Sequence, residues 1–90
     1  MTDTMSIPEQ PQLNRLFRLQ YEEAQKCYVL LYPEGMVKLN QSASEILLLC
    51  NGQHSVDTIV STLESKFGVQ NLRADVTAML EEASRRNWIE

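Results

Sequence analysis

Residues 27–40 restrict the fold of this chain more than any other stretch of it. Cys27–Tyr32 is a continuous run of strand-favouring residues, three of the six being β-branched or aromatic. Residues 32–35 have Pro at the second and Gly at the fourth position of a type I turn, which in a hairpin is usually followed by a bulge where Gly supplies a positive φ. Residues 36–40 then alternate between two faces, as a short strand does. The stretch therefore predicts a β-hairpin.

The two strands of this hairpin differ in the contacts that they are expected to make. A run that is apolar on both faces, such as Cys27–Tyr32, is typical of a strand that is covered on both sides or flanked by neighbours. A short alternating strand, such as residues 36–40, is typical of a sheet edge. An edge strand has unpaired backbone N–H and C=O groups to which another chain can add a strand. We therefore predict that this edge is the functional surface.

Strands and helices are predicted in separate halves of the chain. Residues 16–21 alternate between apolar and polar side chains, which predicts a half-buried first strand before the hairpin. The second half has the apolar periodicity of three helices: one from a capping box at residues 42–45 to Asn51 and Gly52, one from Ser55 to Gly68, and one from Asn71 to Asn87, after which Trp88 and Ile89 fold back on the core. This order predicts an α+β fold of winged helix-turn-helix-like type, a three-stranded antiparallel sheet followed by three helices.

One domain is expected, because 90 residues are enough for a single core. Residues 1–12 are polar and aperiodic, which predicts a flexible N-terminal tail, with residues 13–90 forming the domain. The two isolated cysteines, Cys27 and Cys50, are typical of buried thiols in a reducing compartment. The chain shows neither a secretory signal nor an apolar run long enough to cross a membrane, so we expect a cytoplasmic protein.

The sequence gives little support for catalysis or for cofactor binding. His54 is the sole histidine and has no recognisable partner to orient it as a general base. Two distant cysteines and one histidine do not have the spacing of metal ligands. All three glycines are predicted at turns or helix ends, so there is no phosphate-binding loop. We therefore predict a protein that is not an enzyme and has no metal or cofactor.

DNA binding by the helix-turn-helix is the alternative function, because the third helix would then enter the major groove. That helix has no excess of positive charge: Arg73, Arg85 and Arg86 are balanced by Asp75, Glu81 and Glu82. The whole chain has a formal net charge of -4. Binding to nucleic acid phosphates requires a basic surface, so these charges argue against a nucleic-acid partner.

Peptide binding follows if the edge strand lies beside the N-terminal part of the third helix. Val76, Met79 and Leu80 would then be partly exposed on the helix wall of a groove. A peptide could enter this groove as a fourth antiparallel strand. Met36 and Lys38 would flank the peptide, and Arg73 and Asp75 could recognise its charges. The alternative is that Lys38 only protects an edge that binds nothing, and the pattern alone leaves both open.

Several stretches resemble the PqqD family of pyrroloquinoline quinone biosynthesis. They cover nearly the whole chain from Pro11 to Trp88: Phe17-Arg18-Leu19-Gln20, Glu22-Glu23-Ala24-Gln25, Val29-Leu30-Leu31-Tyr32-Pro33-Glu34-Gly35-Met36-Val37, Leu39-Asn40, Ser42-Ala43-x-Glu45-Ile46-Leu47, Cys50-x-Gly52 and Asp75-Val76. The chain departs from the family pattern at Asn51, where Asp is usual, and at Asn87, where Gly usually precedes the tryptophan. Both asparagines are compatible with a turn.

This resemblance implies a non-catalytic peptide chaperone. PqqD-like proteins bind the ribosomal precursor peptide PqqA and present it to PqqE, a radical S-adenosylmethionine (SAM) enzyme that crosslinks a Glu and a Tyr of the peptide. Related RiPP recognition elements, which bind the leaders of ribosomally made and modified peptides, hold a leader as an added strand between strand three and helix three. Residues 13–90 would then be a single PqqD-like peptide-binding domain. The implied site residues are Gly35, Met36, Val37, Lys38, Leu39 and Asn40 with Asp75, Val76, Met79 and Glu82, where the helix positions are inferred from spacing. Residues 1–12 have nothing of their own to pack on, so two chains could exchange this arm and form a homodimer.

Overall fold

The structure, a computed structural model, describes residues 7–90. It contains β1 (Arg18–Glu22), β2 (Cys27–Tyr32), β3 (Gly35–Lys38), α1 (Gln41–Leu48), α2 (Val56–Phe67) and α3 (Arg73–Arg85). The strands form one antiparallel sheet in the order β1-β2-β3. The predicted α+β fold, three strands followed by three helices, is therefore confirmed.

The hairpin of β2 and β3 has a tighter turn than predicted. Tyr32 pairs directly with Gly35, so Pro33 and Glu34 form a two-residue turn. Gly35 has the predicted positive φ, 157°, but the register continues without an extra residue as far as the pair of Val29 with Lys38. The predicted bulge is therefore wrong for this hairpin, because the glycine belongs to the ladder and does not interrupt it.

The helices cover one face of the sheet. Leu30 is fully buried, and its cross-strand neighbours Leu19 and Val37 are half-buried against the same core. Ile59 of α2 and Leu80 of α3 are also fully buried in that core. Trp88 and Ile89 pack into the same core, as predicted. The alternation of β3 therefore directs one set of its side chains toward the helices and leaves Met36 and Lys38 exposed.

The first helix begins at a different cap from the one predicted. Asn40, not Ser42, is the N-cap, and its side chain accepts a hydrogen bond from the Ala43 backbone N–H at 2.8 Å. The helix ends at the C-cap Leu49, before the predicted stop at Asn51 and Gly52. Asn is as good an N-cap as Ser, so the earlier of two acceptable caps is used. Asn40, which was predicted in the strand, thus belongs to the helix start.

The ends of the other two helices are largely as predicted. Ser55 caps α2, accepting a hydrogen bond from the Thr58 backbone N–H, and Gly68 ends it in the left-handed conformation with φ of 65°. The predicted cap Asn71 is wrong for α3: it has a left-handed φ of 66°, and the N-cap position is Leu72. The Leu72 N–H donates instead to the Glu64 carboxylate at 3.0 Å. Glu64 of α2 therefore supplies a hydrogen-bond acceptor at the start of α3, where the N-cap residue has no side-chain acceptor.

A short extended segment, residues 11–14, lies between two other parts of the chain. Pro11 is buried, and its carbonyl accepts from the Gly52 N–H. Gln12 and Glu90 exchange two backbone hydrogen bonds, of 3.1 and 2.8 Å. The N–H groups of the next two residues donate to the carbonyls of Cys50 and Trp88. Two residues that the sequence placed in the tail are thus packed on the domain, while residues 1–6 of that tail lie outside the described residues.

Within residues 7–90, none of the helices is long and apolar enough to cross a bilayer. The expected cytoplasmic location stays a prediction.

Candidate peptide-binding groove

The free edge of the sheet belongs to β3, the last strand in the sheet order. The Leu39 N–H donates to the Tyr28 carbonyl at 3.0 Å, so the main chain of Leu39 faces β2. In antiparallel pairing, successive residues of a strand direct their backbone groups alternately toward and away from the neighbouring strand. Val37 therefore also bonds to β2, whereas the N–H and C=O groups of Met36 and Lys38 point outward. Two residues of this edge can accept a new strand.

An open groove of about 260 Å³ lies between this edge and α3. It brings together six of the predicted site residues, namely Val37, Lys38, Leu39 and Asn40 from the strand side and Met79 and Glu82 from the helix. Val37 and Met79 are half-buried, and both pack against the core. An apolar side chain of a peptide in this groove would thus contact apolar atoms on both walls.

Three further residues line the groove that the sequence did not predict: Ala43, Arg86 and Trp88. They show that the groove lies along the C-terminal half of α3, whereas the prediction placed the N-terminal part of this helix beside β3. The spacing of Met79, Glu82 and Arg86, three or four residues apart, marks one helix face. That spacing is the signal that could have extended the predicted site toward the C-terminus.

The three other predicted residues of α3 lie elsewhere. Asp75 and Val76 line a separate cleft of about 380 Å³ between the three helices, which also contains Phe67 and Val69. Val76 is only 2% exposed and is part of the core. Arg73 is paired with Asp57 of α2 at 2.6 Å, so its charge is compensated there.

Gly35 and Met36 lie on β3 beside the groove but are not part of its lining. The Met36 side chain points to the other face of the sheet and is 47% exposed. Met36 can therefore contribute to the site through its backbone, and its side chain is available on the face opposite the helices. Gly35 is exposed next to the turn.

The charges at the groove are unevenly compensated. Glu82 accepts hydrogen bonds from both Arg85 and Arg86. The hydrogen bond from Arg86 is the main cause that lowers the pKa of Glu82, so this carboxylate is ionised and shared between two guanidinium groups. The Arg86 guanidinium also lies 5.6 Å from the centre of the Trp88 ring. Lys38 forms no ion pair with any residue of the described range 7–90.

The same ion pairs bear on the DNA-binding alternative. Arg73, Arg85 and Arg86 each pair with a carboxylate, which leaves α3 without the free basic face that a recognition helix needs. Within residues 7–90, no three His, Cys, Asp or Glu side chains are close enough together to hold a metal ion.

Comparison with known proteins shows similarity to one family. A family profile described as "Coenzyme PQQ synthesis protein D (PqqD)" matches residues 27–89. The PqqA binding protein of Methylococcus capsulatus is 50% identical over 78 residues, which are 87% of this chain and 84% of that protein. The PqqA binding protein of Pseudomonas aeruginosa is 51% identical over 86 residues, 94% of each chain.

A solved structure shares the fold described above. The solution NMR structure of the PqqD truncation of Methylobacterium extorquens PqqCD matches with a TM-score of 0.78 and 29% identity. The match covers 94% of this chain and 93% of that one, which is described as a functional and stand-alone RiPP recognition element. Sequence and structure thus agree over nearly the entire length, and the chain belongs to the PqqD family.

Proposed function

We propose that this protein is a non-catalytic chaperone that binds the precursor peptide PqqA by strand addition. In this proposal it presents the peptide to the radical SAM enzyme PqqE in pyrroloquinoline quinone biosynthesis. The relatives named PqqA binding proteins support PqqA as the peptide that is bound. The resemblance to the PqqD family supports PqqE as the enzyme that receives it. The observation that carries the proposal is the outward-facing backbone of Met36 and Lys38 beside an open groove.

The geometry defines how PqqA would bind. An antiparallel peptide strand would bond to the N–H and C=O groups of Met36 and Lys38, which gives up to four backbone hydrogen bonds. The peptide residue opposite Val37 would form a non-hydrogen-bonded pair, in which side chains approach most closely. Its side chain would point to the helix side of the sheet and contact Val37 and Met79. Backbone bonds then supply affinity, and this contact supplies part of the specificity.

Proline at Met36 tests strand addition from the side of the protein. Met36→Pro removes an N–H that faces outward, and proline is tolerated on an edge strand when its missing N–H faces solvent. We expect the variant to fold and to bind PqqA roughly 2- to 10-fold more weakly, the effect of one lost hydrogen bond. Titration of labelled PqqA by fluorescence anisotropy measures the affinity. Trp88, the sole tryptophan, reports occupancy of the groove through its own fluorescence when the peptide contains no tryptophan.

Met36→Ala is the matched control, because it removes the same side chain and keeps the N–H. Scanning PqqA itself with N-methylated residues gives an independent test on the unmodified protein. Strand addition predicts that N-methylation weakens binding at alternate residues of one segment, since only alternate amides face β3. Equal affinity of Met36→Pro and Met36→Ala, together with a scan that lacks this alternation, would exclude strand addition at β3.

A further inference from the structure

We infer that the groove selects a peptide segment in which an acidic residue is followed directly by two apolar residues. This inference rests on the proposed function and specifies the kind of sequence that the same site recognises. It follows from the order of side chains along β3, from the face on which each lies, and from the charges that the groove contains.

The direction of the peptide fixes the order of the three residues. In an antiparallel pair, the peptide residue opposite Lys38 comes first, the residue opposite Val37 second and the residue opposite Met36 third. Side chains directly opposite each other lie on the same face of the sheet and interact as a cross-strand pair. Each peptide position is therefore matched to one known side chain of β3.

The second and third positions meet apolar surface. Val37 and Met79 are half-buried on the helix face, with Leu39 and Trp88 buried beneath them. The side chain opposite Met36 would lie on the other face, where Met36 is 47% exposed. An apolar residue at each of these positions would remove this surface from water.

The first position meets Lys38, which is exposed and has no ion pair within residues 7–90. A like charge directly opposite it would be destabilising, and an opposite charge favourable. The side chain opposite Lys38 lies on the sheet face away from the helices, as Lys38 itself does, so the cross-strand contact with Lys38 alone determines the preference at this position.

These charges run against the balance of the whole chain. The three charged residues that line the groove, Lys38, Arg86 and Glu82, have a net charge of +1, whereas the chain as a whole has -4. The long-range field of the protein would thus attract basic peptides. At the first position the contact with Lys38 favours an acidic side chain, and this local positive charge is what selects the segment.

A charge exchange between protein and peptide tests the inference. Each acidic residue of PqqA is replaced by Lys in turn, and each peptide is titrated against the unmodified protein and against Lys38→Glu. We expect one replacement to weaken binding about 2- to 5-fold, the range of an exposed ion pair, and Lys38→Glu to restore the affinity for that peptide alone. The PqqA residue whose replacement is rescued in this way should be the one that directly precedes two apolar residues. Low salt is used, because exposed charges are screened over about 8 Å at physiological ionic strength.

Arg18→Glu is the matched control. Arg18 is exposed on the same face of the sheet but on β1, at the opposite edge, and its replacement changes the net charge by the same amount. If Lys38→Glu and Arg18→Glu respond alike to every peptide, the inference is overturned while PqqA binding itself stands. If the restored residue follows the apolar pair, the order is wrong and the inference is also overturned. Failure of every peptide, the natural one included, to bind the unmodified protein would instead contradict the proposed function.

Discussion

The Cys50 thiol, two residues after the end of α1, is buried and donates a hydrogen bond to the Ile46 carbonyl, with 3.4 Å between the sulfur and the oxygen. Burial disfavours the thiolate and raises the pKa of Cys50 from 9.0 to about 12. The thiolate is the form that reacts with electrophiles and binds metals. Cys50 therefore behaves as a small core residue at neutral pH, as the sequence predicted for an isolated cysteine.

Stability at high pH should depend on this thiol. Because the pKa is higher in the folded state, the contribution of Cys50 is fully present below about pH 9 and is lost as the pH rises toward 12. We expect the free energy of unfolding in urea to fall by an extra 1–2 kcal/mol or so between about pH 8 and about pH 10.5. Cys50→Ala should abolish this extra fall, and Cys27→Ala should retain it. An unchanged pH dependence in Cys50→Ala would contradict the assignment.

The charged residues of α3 show where spacing along one helix stops being informative. A spacing of four residues pairs Glu81 with Arg85 and Glu82 with Arg86, but in the structure Glu82 binds both arginines. Arg73, which was expected to face the peptide, is bound by a residue of another helix. Spacing shows which residues share a helix face, but it cannot show which neighbouring element supplies the partner.

At the scale of elements, the sequence predicted existence and order better than boundaries. Cys27–Tyr32 was predicted with its observed ends, because it is bounded by polar residues on one side and Pro on the other. The start of α1 was wrong, since two acceptable caps lie two residues apart. The prediction of which part of α3 lies beside β3 was also wrong in part, because that contact depends on how α1 and the loops position the helix against the sheet. Local periodicity contains no information on that placement.

The N-cap of α1 gives a direct test of this boundary. Asn40→Ala removes the side-chain acceptor of the Ala43 N–H, and we expect a loss of about 1 kcal/mol in the free energy of unfolding. Ser42→Ala, at the cap that the sequence suggested, should change it by less than about 0.5 kcal/mol, as is usual for an exposed residue. Urea unfolding of both variants measures the difference. The reverse order of the two effects would place the start of the helix at Ser42.

At the scale of the whole molecule, residues 11–14 connect the segment after α1 to the C-terminal residues. Five backbone hydrogen bonds join them to residues 50–52 and 88–90. This pairing was missed because four residues are too few to show a strand periodicity, and Pro8 and Pro11 are typical of a loop. A dimer formed by exchange of the N-terminal arm would have to exchange this segment, and such a dimer stays a prediction.

Deletion of this segment should destabilise the entire domain. Removal of residues 1–14 eliminates the five hydrogen bonds and the buried Pro11, and we expect the free energy of unfolding to fall by roughly 3 kcal/mol or more. Removal of residues 1–6 alone leaves all of these contacts in place and is the control. Thermal unfolding followed by circular dichroism measures both. Equal stability of the two deletions would show that the segment contributes nothing to the fold.

The reciprocal bonds between Gln12 and Glu90 also determine how this domain can be joined to other proteins. Because Gln12 and Glu90 are adjacent, a domain spanning residues 12–90 could be inserted into a surface loop of a carrier, or circularly permuted, with only a short linker. Trp88, two residues before Glu90, lines the groove. An enzyme fused after Glu90 would thus be tethered next to this groove, and under the proposed function it would meet the peptide at a high effective concentration.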